Sequence, residues 1–511
     1  MSGPASNLRA RKVEANGNGK ANGSSNGHSN GNGNGAAAAA ATESEGKSRA
    51  VRYGAIPTAY GQQMDKKLDQ HESYEFGGPV GVTAMMVGFP ILMYYLWICL
   101  WYYDGALVHP KSVADIGPFF ERMWAHCYEG AYPTKFAWAT YLGLTAIQLT
   151  FAWVLPGMMQ WGLPVPSLGY ETLLYKCNAL ASWYCTLVLA FVLHVTGIYR
   201  LPWIIENYGP IMTVAIITSF TVSATIDILG RTAHYGGKPL RMSGVLVYDH
   251  FMGVSLNPRL GPIDLKMFAE VRVPWVLLFL ISLSGVVKQY EDLGYLTYNM
   301  FHMLLATGLY MNACAKGEQM IPQTWDMFHE KFGWMLIFWN MAGVPFTYCY
   351  PTIYMTRASP DKYRFPWWGN VLMFVTLLTC YYIFDTSMSQ KSAFKMQQQG
   401  EYKPRKAFPQ LPWAEVKDPE FIQTKHGNKL LISGWWQYAR KINYTADWFQ
   451  ALTWGLTAGF NTPITLFYPI FFLAVLTHRC GRDFEKCERK YGEDWVAYCK
   501  VVKWRFIPYV Y

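Results

Sequence analysis

The sequence runs to 511 residues, 51% hydrophobic and 17% aromatic but only 15% charged, with a formal net charge of +10. An average soluble domain carries roughly 25% charged residues, so a string of ordinary soluble domains is excluded. Ten cysteines without a C-x-x-C pair argue against a disulfide framework.

Residues 1–75 come first and differ from the rest. Asn16 to Asn34 is nearly all Gly, Asn, Ser and Lys, and an Ala run follows. Such a segment buries too little apolar surface to offset its ordering entropy, which predicts a disordered tail. It lacks the apolar core of a signal peptide, so the first membrane helix is expected to act as the targeting signal. Apolar runs long enough to cross a bilayer then follow at 80–101, 137–155, 179–198, 211–229, 274–287, 295–314, 332–354 and 366–384. A closing stretch at 446–476 has Asn461, Thr462 and Pro463 in its middle and reads as a re-entrant hairpin or two tight spans. The pattern predicts an all-α polytopic membrane protein of about ten transmembrane helices.

The positive charge is concentrated. Between Gln390 and Tyr444 there are ten Lys or Arg against four Asp or Glu, and from His478 onward eight against five. Basic flanks favour the cytoplasmic side, so both segments are expected to face the cytosol. Two accounts fit this excess: membrane orientation with attraction to anionic headgroups, or a polyanionic cofactor held between loop and tail.

Four stretches are unusual for membrane loops: Tyr74 to Pro79; Gly244 to Arg259, containing Tyr248-Asp249-His250; Leu431 to Trp448; and His478 to Cys499. In the last two, Arg440, Arg479 and Arg482 offer forked donors suited to phosphates, and Lys391 and Lys395 add point charges. Trp435, Trp436, Tyr444, Tyr491 and Tyr498 supply flat faces for stacking, and Asn443 and Asp483 could read a ribose or carboxamide. No G-x-G-x-x-G follows a strand, so a Rossmann cradle is not expected. The same residues would also suit an interfacial helix with snorkelling cations and an aromatic belt.

The second and fourth stretches closely resemble the two signature motifs of the sterol reductase family, which includes C14-, C7- and C24(28)-sterol reductases and the lamin B receptor. The resemblance covers roughly residues 74–511. Within the family, residues 74–105 look most like the fungal branch that reduces the C24(28) bond in the last step to ergosterol. The resemblance implies an endoplasmic reticulum membrane enzyme. Residues 76–385 would form its sterol-binding half, and residues 386–511 would form an NADPH-binding half opening to the cytosol. Carried over, that pocket uses Lys391 and Lys395 from the loop after the eighth span, and Leu431, Trp436, Asn443 and Tyr444 from the third stretch. The tail supplies Asp483, Cys487, Lys490, Tyr491 and Tyr498, with Arg440 and Arg479 nearby. Lys395 stands where relatives usually have Arg, which removes a bidentate fork, and Lys441 where many have His. The implied partners are a sterol, membrane lipid and other ergosterol-pathway enzymes, with no nucleic acid.

An unactivated alkene needs a proton before it will accept hydride. Protonating the methylene end places the cation on tertiary C24. Ionisable residues beside spans are the candidate acids. One cluster is Tyr248 with Asp249 as its orienting partner and His250, followed by Asn257 and Arg259. The other is Asp326, His329 and Glu330, whose spacing puts them on one helical face, with His302 a third candidate. Either cluster also fits a buried network that fixes helix packing. Position 333 is Gly, so His329-Glu330 is not an H-E-x-x-H zinc motif, and no metal is expected. Three other readings remain: a non-catalytic sterol-binding scaffold, a membrane methyltransferase of the isoprenylcysteine type, and a C14-reductase.

Overall fold

The computed structural model describes residues 56–70, 74–400, 402–404 and 411–510. The first 55 residues of the expected disordered tail lie outside these. The end of that tail departs from expectation, because Ala59–Leu68 form a helix, α1. Thr58 caps it, its Oγ1 accepting from the Gly61 N–H at 3.1 Å, which satisfies one orphan donor of the first turn.

The first expected span is α2, Gly78–Tyr102, with Pro79 in its first turn and no charged residue along it. An amphipathic helix, α3 (Ile116–Gly130), leads to α4 (Lys135–Val154), whose start is capped by Thr134. A β-hairpin follows that was not expected: β1 (Met158–Val165) pairs antiparallel with β2 (Glu171–Cys177). Its signal is the alternation of Leu173, Tyr175 and Cys177, all buried, which is the period of a half-buried strand. Next come α5 (Ala179–Val195), α6 (Tyr208–Ala233), the short α7 (Leu246–Met252), α8 (Val273–Leu293) and α9 (Tyr298–Lys316).

The expected span at 332–354 is not one helix. It divides into Trp334–Phe338, a π-helical turn at Trp339–Gly343, Val344–Thr347 and Tyr350–Arg357. Pro345 and Pro351 have no N–H for the helical ladder and their rings crowd the preceding turn. The π turn absorbs part of the mismatch.

The next expected span is longer than its apolar run. Helix α10, Trp367–Gln398, continues for 32 residues and carries Lys391 and Lys395. These two lysines therefore stand on a helix and not in the loop expected for them. A small hairpin of β3 (Phe421–Gln423) and β4 (Lys429–Leu431) precedes α11 (Ile442–Leu456), α12 (Phe467–Tyr491) and α13 (Glu493–Val501). The closing stretch is thus a helical hairpin, and its second arm runs without a break into the basic tail. Thr462 pins the turn, donating to the Gly105 carbonyl at 2.7 Å and accepting from the Ile464 N–H at 3.2 Å.

Among the described residues, five helices are long and apolar enough to cross a membrane: Gly78–Tyr102, Tyr208–Ala233, Leu265–Leu293, Trp367–Gln398 and Pro463–Tyr491. The protein is a mostly helical membrane protein. Helices α4, α5 and α9 form where spans were expected, with 20, 17 and 19 residues; α5 is apolar but shorter than that standard, and α4 and α9 are long enough but less apolar.

Candidate functional site

Three elements converge on the end of α10. Gly434 begins the turn that follows β4, with φ 65°, and the Gln390 carboxamide oxygen lies 2.5 Å from where a Cβ would stand. Only glycine fits such a position without displacing its neighbour. The approach lets Gln390 accept from the Trp435 N–H at 2.9 Å, and lets the Trp436 indole donate to the Ser387 carbonyl at 2.9 Å. Leu431 and Trp436 then pack with Phe394 of α10. Above Trp436 sits the Lys391 ammonium, 4.0 Å from the ring centroid, a cation–π distance.

Helix α12 faces the same place. With roughly 100° between successive residues, Asp483, Cys487 and Tyr491 form one stripe of it. Asp483 pairs with Lys441, which also lies over the Tyr444 ring at 4.8 Å. Burial lowers the Lys441 ammonium, but Tyr444 and Asp483 outweigh it and raise the group above its ordinary value, so it stays cationic. Lys391 feels the charges of Lys395 and Lys441, Lys395 those of Lys441 and Lys490, and Asp483 acts on both as the opposing charge. Lys391 and Lys395 form no ion pair with any described residue; Lys395 donates to the Gln323 carbonyl at 3.3 Å. Asn443, on α11, gives its amide N–H to the Met388 sulfur at 3.4 Å and leaves its buried Oδ1 without a hydrogen-bond partner among the described residues.

The remaining expected ligands have visible work elsewhere. The Arg440 guanidinium donates to the Cys499 sulfur at 2.7 Å and the Lys503 carbonyl at 3.0 Å, tying down the C-terminal segment. Tyr498 stacks on Trp495 at 5.2 Å. The Tyr491 hydroxyl accepts from Asn428 at 3.3 Å. Arg479 pairs with Asp326 at 2.6 Å.

A second stripe of α12, Arg482 and Lys486, faces the other way. Arg482 pairs with Glu75 at 2.5 Å and Glu330 at 3.2 Å, and Lys486 with Glu330 at 3.3 Å. The cluster expected on one helical face is assembled differently. Its helix is only Trp325–Phe328, so Asp326 and Glu330 are gathered by the cations of α12 rather than by helical spacing. Beyond the helix the chain passes close to the segment after α7; a Cβ on Gly333 would lie 2.2 Å from the Gly253 nitrogen. Burial raises the Glu330 carboxyl, but Lys486 and Arg482 outweigh it and hold the group well below the usual carboxylate range. A carboxylate so held has no proton to give near neutral pH.

Tyr248 accepts from the Glu75 N–H at 2.8 Å and meets Tyr74 edge-on. It lines a cleft of about 690 Å³, counting the part open to solvent, with Lys67, Glu75, Arg241, Glu330 and Arg482. Asp249 is not placed as its orienting partner. Both Asp249 oxygens accept from the preceding loop, Oδ1 from the Ser243 N–H and hydroxyl at 2.8 Å each, Oδ2 from the Gly244 N–H at 3.1 Å.

Residues 70–511, with these elements, match the ergosterol biosynthesis ERG4/ERG24 family. The chain belongs to that family. It is 44% identical over 450 residues to the Delta(24(24(1)))-sterol reductase of Aspergillus fumigatus, covering 87% of this chain and 95% of the relative. It is 42% identical over 450 residues to the Delta(24(24(1)))-sterol reductase of Gibberella zeae, covering 88% of this chain and 74% of the relative. The Delta(14)-sterol reductase of Methylotuvimicrobium alcaliphilum is 35% identical over 444 residues, with coverage of 86% and 96%.

One group of ERG4/ERG24 residues escaped the sequence reading. Asp447 lies one turn after Asn443 on α11, on the same face. Its Oδ2 accepts from the Tyr310 hydroxyl at 3.4 Å, and its buried Oδ1 has no hydrogen-bond partner among the described residues. Tyr310 packs on Trp275 at 4.4 Å and edge-on to Trp454 at 5.7 Å. Tyr348 stacks on Tyr468 at 3.7 Å beside them. The available signal was Asp447 itself, an acid at the start of an apolar run.

Proposed function

We propose that this chain is an NADPH-dependent sterol reductase that saturates the C24(28) double bond of a sterol side chain in the endoplasmic reticulum membrane, with its cofactor cleft toward the cytosol. The observation that carries the cofactor assignment is the excess of cations here: Lys391 over the Trp436 face, with Lys395, Lys441 and Lys490, against Asp483, and with neither Lys391 nor Lys395 in an ion pair with a described residue. A buried or half-buried cation is costly unless a counter-charge arrives, and a dinucleotide's phosphates supply it. Residues Lys391, Lys395, Lys441 and Lys490 would take the phosphates. Trp436 and Tyr444 would offer flat faces, and the Asn443 Oδ1 would accept from a carboxamide. The choice of bond follows the names of the two fungal relatives.

NADPH supplies hydride when bound. The protein's own share is the proton and the care of the cation. Tyr310 is the donor best placed, because Asp447 holds its hydroxyl and stands one turn from Asn443. The donated proton goes to the methylene carbon, leaving positive charge on C24. The π faces of Trp275, Trp454 and the Tyr348–Tyr468 stack favour such a charge, and their apolar bulk excludes water. A second reading keeps Tyr248 as donor, favoured by its place on the wall of the cleft. Glu330 then acts by fixing Arg482 and Lys486, and Asp249 by fixing the loop before α7.

The test gives purified protein NADPH and sterols with 24(28), 14 or 7 double bonds, with products read by mass spectrometry. Saturation of the 24(28) bond alone is expected. Turnover of the 14-ene with the 24(28) sterol untouched would replace the proposed activity with a C14-reductase.

A further inference from the structure

Helix α1 ends before residue 70, where the family match begins, yet it is built into the neighbourhood of the cofactor residues. Thr58 donates to the Lys425 carbonyl at 2.7 Å, and its N–H to the His426 carbonyl at 3.3 Å. Gly61 lies so close to the β3–β4 turn that a Cβ would stand 2.8 Å from the His426 carbonyl oxygen. One turn further along, Asp65 is buried, with 5% of its surface exposed. Its Oδ1 lies 3.1 Å from His426 Nε2 and 3.5 Å from the Lys490 ammonium, and its Oδ2 accepts from the Tyr170 hydroxyl at 3.2 Å. One carboxylate thus joins the β1–β2 hairpin, the β3–β4 turn and α12.

We propose that Asp65 is a positioning residue for the cofactor site, acting through Lys490, and that α1 is a strap that sets one wall of the pocket. The proposal rests on the NADPH reading given above. An ammonium has three N–H donors. A fixed carboxylate at ion-pair distance, 3.5 Å, favours one placement of that ammonium and so of its donors, and Lys490 sits on α12 beside Asp483 and Cys487. Asp65 also fixes His426, whose ring meets Tyr491 edge-on at 5.8 Å. A buried carboxylate is stable only among partners such as these. Here burial raises the Asp65 carboxyl, and His426 and Lys490 outweigh it and keep the group below its ordinary value. Four lysines and two carboxylates, Asp483 and Asp65, then leave a net positive site for phosphate.

The test measures NADPH binding by the full chain in detergent, and KM and kcat in parallel, for Asp65→Asn, Asp65→Glu, Lys490→Met and the Asp65→Asn/Lys490→Met pair. Asp65→Asn is expected to raise KM for NADPH about tenfold with kcat within about twofold, the usual worth of a hydrogen bond to a charged group. Asp65→Glu should recover part of the loss, and sterol KM should stay put. The double variant should bind NADPH no worse than Lys490→Met alone, because residues acting through one another are not additive. Additive losses overturn the proposal, as does Asp65→Asn that lowers only the melting temperature. If Lys490→Met weakens NADPH and Asp65→Asn does not, the strap fails and the cofactor site stands. If Lys490→Met binds NADPH normally, the assignment of Lys490 to the cofactor fails and the positioning role of Asp65 falls with it.

Discussion

Along α12, Arg482 and Lys486 lie against Glu75 and Glu330, whereas one stripe over Asp483 and Cys487 act electrostatically on Lys391 and Lys395, which form no ion pair with a described residue. Both regions are rich in Lys and Arg, and composition gives them the same appearance. Their partners separate them. A cation matched by a carboxylate holds elements together, and a cation left unmatched in a half-closed place is ready for an anionic ligand. The matched stripe joins α12 to the start of α2 and to the segment after Trp325. The unmatched one lies between α10, α11 and α12.

The largest effect should come from outside both stripes. Tyr310→Phe is expected to slow the chemical step by two to four orders of magnitude, the worth of a positioned acid, while NADPH and sterol still bind. Tyr248→Phe is the paired variant, expected to stay within about tenfold of the parent. Single-turnover rates decide between them, and the reverse order moves the donor to the cleft.

Glu330→Gln should act on stability. It leaves Arg482 and Lys486 facing a neutral side chain, and breaking such a pair costs about 3–5 kcal/mol where burial is complete, less here because the cleft is partly open. Thermal unfolding should show the drop, with NADPH affinity in surviving protein within about twofold. A large loss of affinity without a loss of stability would mean that the two stripes do not divide the labour as described. The same variant carries a pH signature. The folded-state carboxyl is depressed, so its contribution is fully present above the unfolded value of about 4.3 and is lost as pH falls through the folded value. The melting-temperature gap between parent and Glu330→Gln should therefore be flat from pH 5 to 8 and close only in more acid solution.

The smallest of these effects belongs to the unmatched stripe. Lys391→Met and Lys395→Met should each raise KM for NADPH about tenfold and narrow the preference over NADH, with melting temperature unchanged or raised. A rise in stability would be informative, since it would mean that the free protein bears a strain that its ligand relieves. Added salt should weaken NADPH binding by the parent more than by either variant.

Much of this was legible in the sequence. Apolar length located α2, α6 and α8, because crossing a bilayer demands a long uncharged run. It could not show where α10 ends. From Ser389 to Gln398 no Pro or Gly interrupts the chain, so the helix continues past the apolar run and lifts Lys391 and Lys395 onto a rigid frame. Nor could spacing show how Asp326 and Glu330 are gathered, since their partners Arg479, Arg482 and Lys486 come from about 150 residues away and the helix that spacing implied stops at Phe328. Asp447 stands alone in sequence, with no second acid near it to mark a cluster. The hairpin β1–β2 has only a weak alternation, lying between two apolar runs that stand out far more strongly.

Helix α12 is 25 residues long, about 37 Å at the rise of an α-helix, and it has no interruption between Phe467 and the stripe that bears Asp483 and Cys487. Mechanically it is a shaft. One end lies in an apolar stretch long enough to cross a membrane and the other carries the residues proposed to hold the cofactor, so a change of tilt at Phe471 would swing Asp483 and Lys490 by leverage. Membranes of different thickness impose different tilts on such helices. On the proposed reading, the thickness of the surrounding lipid would therefore bear on how Asp483 and Lys490 meet the cofactor, with no ligand and no covalent modification in between.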